Sequence, residues 1–275
     1  MLLTVGIRPV ADFETLNNQI MTDLNTSTEA TITDKTAIGF IPCYRLPFLS
    51  LFHADCMEIM KQYPDKYFDL AIVDPPYGIG ASDYKRGGTQ HGNSKAKCKE
   101  YGSKNWDSAT PTTEYWNELK RISKNQIVWG ANHFISDIPF NSSCWIVWDK
   151  ENGDNGYADC ELAWTSFKSA VRKFKWKWQG MLQQNMKNKQ ERIHPTEKPI
   201  ELYEFCLKNY ADNGFKILDT HFGSGSIALA VDKANRLDKM NLHLTACEID
   251  KEYIDKAIKR ISENIKQGTL SFNAY

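Results

Sequence analysis

The stretch "KILDTHFGSGS", Lys216–Ser226, runs from a short apolar segment into an acid and then Gly-Ser-Gly ahead of a helical pattern. A strand that ends in glycines and restarts as a helix can turn tightly and let its backbone approach a bound nucleoside. Alone, the same pattern also fits a strand-to-helix connection that merely needs positive φ. It lacks the Lys-Ser/Thr ending of a phosphate-cradling loop, which argues against a nucleoside triphosphate. The next strand pattern, "HLTACEID", ends with Glu248 and Asp250, and an acid there suits the two hydroxyls of a ribose. Strand, glycine turn, helix, strand and acid together point to an adenosine-containing ligand.

Outward from this unit, short apolar runs alternate with amphipathic stretches, which predicts a mostly parallel sheet with helices on both faces. Seven strands are expected, at Leu49–Ala54, Asp69–Val73, Gln126–Trp129, Cys144–Trp148, Leu162–Ser166, Lys216–Leu218 and His243–Cys247. Helices are expected at Cys56–Gln62, Thr112–Ile122, Pro199–Tyr210, Ser226–Asn235 and Lys251–Glu263, the last with Tyr253, Ile254, Ala257, Ile258 and Ile261 at helical spacing. Residues 1–45 are rich in Asn, Thr and Asp with little to bury, and read as an appendage; 46–265 read as one α/β domain and 266–275 as a tail. Two stretches break the rhythm: 81–104 is polar and glycine-containing, and 167–192 is basic with interleaved aromatics. Excursions of that length from a compact core are usually functional or disordered.

Composition narrows the class. The 275 residues are 41% hydrophobic, and 34 basic against 34 acidic side chains leave no net charge to advertise an anionic partner. Seven cysteines, an odd number without a Cys-x-x-Cys pair, suit neither a disulfide framework nor a zinc site and read as reduced thiols. No metal is expected. No apolar run approaches the ~18 residues a bilayer span needs, and no leader pattern stands at the start, so a soluble intracellular protein is expected.

The second informative stretch is "FDLAIVDPPYGIG", Phe68–Gly80. Asp74 would lie just past the carboxyl end of a buried strand, where open α/β sheets bind ligands. Pro75 and Pro76 fix φ and remove two donors, leaving the carbonyls free as acceptors, while Tyr77 offers a flat face. Rigid acceptors beside an aromatic plane suit a planar substrate bearing an amino group; a polar turn with a packed tyrosine is the plainer alternative.

"DPPY" at 74–77, "HPTEKP" at 194–199 and "DTHFGSGS" at 219–226, in that order, resemble motifs IV, X and I of the S-adenosylmethionine-dependent DNA amino-methyltransferases. With the catalytic motif upstream of the cofactor motif, the chain is similar to the circularly permuted beta class. The likeness spans about residues 46–265 and includes "LFHADCMEIMKQYP", "IVWGANHF" and "CWIVWDKENGDNGYADCELAWTSF". It implies a Rossmann-like fold, S-adenosylmethionine as cofactor, double-stranded DNA as partner and a cytoplasmic setting in a bacterium or phage-infected cell. A companion restriction endonuclease and a homodimer stay open.

Residue by residue, the resemblance implies that Asp74 and the Pro75 carbonyl accept from the target amine, that Pro76 stiffens the turn, and that Tyr77 stacks on an extruded base. Gly223, Ser224, Gly225 and Ser226 would shape the turn around the methionine moiety, with Asp219 alongside. Glu248 would take the ribose hydroxyls, Ile249 would pack on the adenine and Asp55 would contact its amine. Thr196 and Lys198 match positions near the methionine carboxylate. One departure stands out: the family commonly has Asp-Pro-Phe where this chain has Asp219-Thr220-His221, with Phe222 shifted by one, so His221 or Phe222 takes the aromatic place.

An amine on a paired base is out of reach until the nucleotide is extruded, which requires a grip on phosphates. Within 167–192 eight cations, among them Arg172, Lys173, Lys175 and Lys177, face one acid, Glu191, and the segment occupies the family's target-recognition position. Lys85 and Arg86, in 81–104, would add to the DNA contact. The expected activity is methylation of adenine N6, with cytosine N4 as the alternative acceptor and a catalytically inactive nucleic-acid-binding module as the alternative of another class. Cys43, in the only Pro-Cys dipeptide, lies upstream of the domain and is read as chance rather than as a cytosine-C5 nucleophile.

Overall fold

The computed structural model describes residues 39–80, 107–138, 141–153, 158–178 and 182–272, with side chains to residue 267. In chain order the elements are β1 (Tyr44–Leu46), β2 (Leu49–His53), α1 (Cys56–Met60), β3 (Phe68–Val73), α2 (Thr113–Ile122) and β4 (Ser123–Trp129). A single 3-10 turn at Ala131–His133 precedes β5 (Trp145–Asp149), β6 (Cys160–Thr165) and β7 (Arg172–Lys175). The chain then forms α3 (Ile200–Tyr210), β8 (Lys216–Asp219), α4 (Ser226–Asp238), β9 (His243–Glu248) and α5 (Lys251–Phe272).

The strands form one sheet in the order β1-β2-β9-β8-β3-β4-β6-β5-β7. From β2 to β4 all neighbours are parallel, β6 runs antiparallel to both β4 and β5, and β1 is an antiparallel edge. The sheet has nine strands among the described residues, not the seven expected. All seven expected segments are present; the additions are the edges β1 and β7, whose sequences "YRL" and "RKFK" carry too few apolar residues to register as strands. β7 lies inside the basic segment and pairs in parallel with β5 from Ile146↔Arg172 to Asp149↔Lys175. An edge strand needs only one apolar face, here Phe174, whose ring lies 5.2 Å from that of Phe205 on α3.

The central strands are apolar on both sides because both sides are covered. On one face, Leu51, Ile72, Ile127 and Leu244 pack with Leu202 and Cys206 of α3, Ile227 and Val231 of α4, and Ile254 and Ile261 of α5. On the other, Phe52, Val73, Val128 and Leu218 pack with Ile59 and Met60 of α1 and Tyr115, Trp116 and Leu119 of α2. α5 continues past the expected Glu263 to Phe272, since no proline interrupts it and Gly268 costs a helix interior only ~1 kcal/mol.

From β8 the chain crosses through α4 to β9, while from β3 it crosses through α2 to β4 on the opposite side, so the order reverses between β8 and β3. Ligands of open α/β sheets bind at the carboxyl ends of strands at such a reversal. Asp69 fixes this pair at its other end: one carboxylate oxygen accepts from the Lys216 amide at 2.8 Å and the other pairs with Lys124 of β4 at 2.7 Å. Asp69→Ala therefore removes a partly buried acceptor shared by three strands. A loss of about 1–3 kcal/mol is expected, measured as a lower urea midpoint at unchanged slope.

Candidate active site

β3 is buried to Val73, and the chain leaves it through Asp74-Pro75-Pro76-Tyr77. Tyr77 turns its hydroxyl back to donate to Asp74 Oδ1 at 2.7 Å, while Lys198, from the distant "HPTEKP" stretch, donates to Asp74 Oδ2 at 2.5 Å and to the Tyr77 hydroxyl at 3.0 Å. Lys198 is 3% exposed at its side chain and also reaches Glu161 Oε2 of β6 at 3.2 Å; Glu161 Oε1 pairs with Lys150, just past β5. Two carboxylates and two ammonium groups thus alternate along the carboxyl edge of the sheet, so that each buried charge has a partner of opposite sign. Burial pushes Asp74 above the ordinary carboxylate range against the pull of Lys198. Burial likewise opposes ionisation of Glu161, but Lys198 and Lys150 outweigh it and bring the carboxyl down to about 2. Lys198 stays protonated: burial disfavours its charge, yet Asp74 and Glu161 raise its pKa on balance.

The turn after Tyr77 is pinned from across a sequence gap. Asp107, 1% exposed, accepts from the Tyr77 and Gly78 amides at 2.6 and 2.9 Å, and its carbonyl accepts from the Gly80 amide at 3.1 Å. The Tyr77 ring stacks on the exposed His133 with centroids 4.8 Å apart and planes at 15°. It also lies against Gly130, the residue after β4, where a Cβ would come within 2.1 Å of the ring and where φ is +69°.

Beside this cluster the ends of β8, β9 and β2 form the rest of the rim. Gly223 (φ +51°) and Gly225 (φ +72°) make the turn into α4, and the Gly223 amide donates to Glu248 Oε2 at 2.9 Å. Glu248 Oε1 accepts from the Ile249 and Asp250 amides, both at 2.9 Å. Ile249 is 62% exposed, an apolar side chain on the rim. Asp55 caps α1 through Met57 N at 2.7 Å, one strand further along. Asp219 is 2% exposed and accepts from the His221 amide at 3.0 Å. Burial first, then the neighbouring Asp74 and Glu248, push it up to about 8. His221 Nδ1 lies 2.9 Å from Thr220 Oγ1, and burial lowers its pKa to about 4, so the ring is neutral at pH 7. Phe222 faces the core against Gly225, and the His221 ring lies 5.7 Å from that of Tyr115. Ser224 and Ser226 hydroxyls lie 3.1 Å apart, and the exposed Thr196 has its hydroxyl 3.1 Å from His194 Nδ1.

The sequence-predicted residues thus fall into groups. Asp74, Tyr77, Lys198, Asp219, Gly223 and Glu248 converge, with Lys198 engaging Asp74. Of the basic set, Arg172, Lys173 and Lys175 are exposed on β7, with Lys173 3.5 Å from Asp149 and Lys175 2.8 Å from Glu151; Lys177 is half-buried. Lys85 and Arg86 lie outside the described residues. Arg192, counted among the phosphate-facing cations, instead folds over Trp178, donating to its carbonyl at 2.9 Å. Sequence reading missed Lys150, Glu161, Asp107, Gly130 and His133. Charges at the ends of apolar strand patterns were the available signal for Lys150 and Glu161. Asp107 had none, because its partners lie thirty positions upstream. Among the described residues no cluster of His, Cys, Asp and Glu could hold a metal, the six described cysteines are free thiols, and no helix is long and apolar enough to cross a membrane.

Residues 148–259 match the family model N6_N4_Mtase, described as DNA methylase. Among curated proteins the chain is similar to the type II methyltransferase M.ScaI of Streptomyces caespitosus, at 22% identity, covering 82% of this chain and 85% of that one. Among solved structures it shares the fold of the PvuII DNA methyltransferase (cytosine-N4-specific), with a TM-score of 0.51 at 14% identity, covering 80% of this chain and 88% of that one.

Two outcomes test the geometry. Gly130→Ala should displace the Tyr77 ring and add left-handed strain of roughly 1–2 kcal/mol, read as altered Tyr77 packing in a crystal structure and a lower melting temperature. Asp219 carries more protons folded than unfolded between its unfolded value of 3.8 and about 8, so its contribution to stability is greatest below that window and is lost as pH rises through it. Wild type should therefore lose stability relative to Asp219→Asn when denaturant midpoints are compared at pH 5 and pH 8.

Proposed function

We propose that this chain, a member of the N6/N4 DNA amino-methyltransferase family, methylates the exocyclic N6 of an adenine extruded from duplex DNA. The observation that carries the reading is the meeting of Asp74, Tyr77 and Lys198 with the Asp219–Glu248 rim at the one place where the sheet order reverses.

The rim fits S-adenosylmethionine in its chemistry. Asp219 is a buried carboxyl beside two other acids, an environment that favours an incoming ammonium group. Glu248, already oriented by three backbone amides, keeps lone pairs for ribose hydroxyls, and Ile249 offers an apolar face to an adenine ring. Asp55 has one oxygen engaged with its helix and one left to accept from the adenine amine. When bound, the cofactor supplies a methyl group already activated by a positively charged sulfur.

The chain's own task is then alignment in a dry site. Asp74 and the Pro75 carbonyl accept the two hydrogens of the target amine and so turn its lone pair out of conjugation. The amine becomes acidic only as its bond to the methyl carbon forms, which makes an oriented acceptor sufficient and a strong base unnecessary. Lys198 pulls the Asp74 carboxyl down against the effect of burial, and Pro75 and Pro76 keep the turn from collapsing into local hydrogen bonds. The face of Tyr77 now stacked on His133 takes an aromatic plane, which is what an extruded base presents. Arg172, Lys173, Lys175 and Lys177 on and beside β7 grip phosphates, in exchange for Asp149 and Glu151 where those are paired, so binding weakens steeply with salt.

The purified protein is expected to transfer labelled methyl to unmethylated duplex DNA, and nucleoside mass spectrometry to find N6-methyladenine. N4-methylcytosine in its place reassigns the acceptor, and labelling of RNA in preference to DNA overturns the substrate. Asp74→Ala should abolish transfer while S-adenosylhomocysteine still binds by calorimetry. Lys198→Met should slow transfer by about 100-fold or more, within the usual range for a positioned proton-handling group. It should also move the acidic limb of the rate profile to higher pH, because a buried Asp74 without its cation holds its proton longer.

A further inference from the structure

Arg260 lies on α5, a helix whose apolar face is Tyr253, Ile254, Ala257 and Ile261, yet its side chain is only 10% exposed. Its guanidinium spans three separate pieces of chain. Nη1 donates to the Ser224 carbonyl and the Ser226 hydroxyl, both at 3.1 Å, within the glycine turn. Nη2 donates to Gln190 Oε1 at 3.1 Å, near the end of the basic segment, and lies 3.1 Å from Glu197 Oε1. Glu197 has a fully buried side chain; its other oxygen accepts from the Ile193 amide at 2.8 Å and its carbonyl accepts from Trp178 Nε1 at 2.7 Å. Gln190 is held in turn by reciprocal 2.8 Å bonds with the buried Gln183. The residue after Glu197 is Lys198, on Asp74.

We propose that Arg260 is a positioning residue through which the glycine turn 222–226 and the segment 183–193 hold one another, so that occupancy of the turn is transmitted to the recognition segment and back. The inference rests on the methyl-transfer reading for the identity of the two ligands, but the latch itself rests on contacts. A planar group with five fixed donors can hydrogen-bond a carbonyl, a hydroxyl and an amide oxygen at once while its charge faces a carboxylate, which a lysine cannot. Because Glu197 is buried, removing Arg260 leaves it only the weaker pull of Arg192, and Glu197 also holds Ile193, so both the turn and the segment lose their common anchor. Coupling of this kind is reciprocal: whatever orders the turn must favour the ordered segment by the same factor.

The test is hydrogen exchange read by mass spectrometry on the full chain, with and without S-adenosylhomocysteine. In wild type the compound is expected to slow exchange of amides in both 222–226 and 183–193. In Arg260→Met both segments should exchange about tenfold faster without ligand, and added compound should protect 222–226 alone. Arg260→Lys keeps the charge but not the fork, and should show the same uncoupling with less loss of stability if the methionine variant folds poorly. Lys256→Ala, on the exposed side of the same helix, should match wild type. Protection that reaches 183–193 undiminished in both Arg260 variants, or that never reaches it in wild type, overturns the proposal. Should the compound fail to protect 222–226 in wild type, it is the methyl-transfer reading that fails; the ligand-free comparison of Arg260→Met with wild type then decides the latch, equal exchange in the two segments overturning it.

Discussion

The interaction on which the rest of the site depends is the contact between Lys198 and Asp74, two residues separated by 124 positions in sequence. Each lies where isolation would be prohibitive: a buried carboxylate or ammonium without a partner shifts its pKa until it is neutral. Paired, each offsets part of the other's burial, and the polar chain continues through Glu161 to Lys150 along the edge of the sheet. The pair joins the turn after β3 to the "HPTEKP" stretch before α3. In this way the Asp74 carboxylate is held in place by the segment that leads into the glycine-turn half of the fold.

Much of this was legible in the sequence because the parts that matter obey short-range rules. The strand ending in Asp74 is apolar on both faces, the prolines leave little choice of conformation, and the glycines at 223 and 225 sit at positive φ, where other residues pay strain. The order of the motifs carried the resemblance to the permuted class, and the crossover rules allow few ways to wind such a chain.

What escaped the sequence was long-range or one-sided. β7 reads as a charge run because an edge strand needs only one apolar contact, the packing of Phe174 on Phe205. The interleaved aromatics Phe174, Trp176 and Trp178 join the core, while Lys175 between them is exposed and Lys177 half-buried. Lys198 was expected near the methionine carboxylate from the motif it belongs to, and its contact with Asp74, 124 positions upstream, had no local signal. Asp107, Gly130 and Arg260 meet partners far along the chain, and no local pattern marks such residues.

The clamp at Asp107 has a further consequence. It ties the end of the 81–106 stretch to its beginning, because one side chain and one carbonyl receive the amides of Tyr77, Gly78 and Gly80. With its ends stapled at the base, that stretch can change in length at little thermodynamic cost, since each doubling of a closed loop adds only about 0.6 kcal/mol. The seating of Tyr77 therefore rests on Asp107 itself, whatever the length of chain that separates the two.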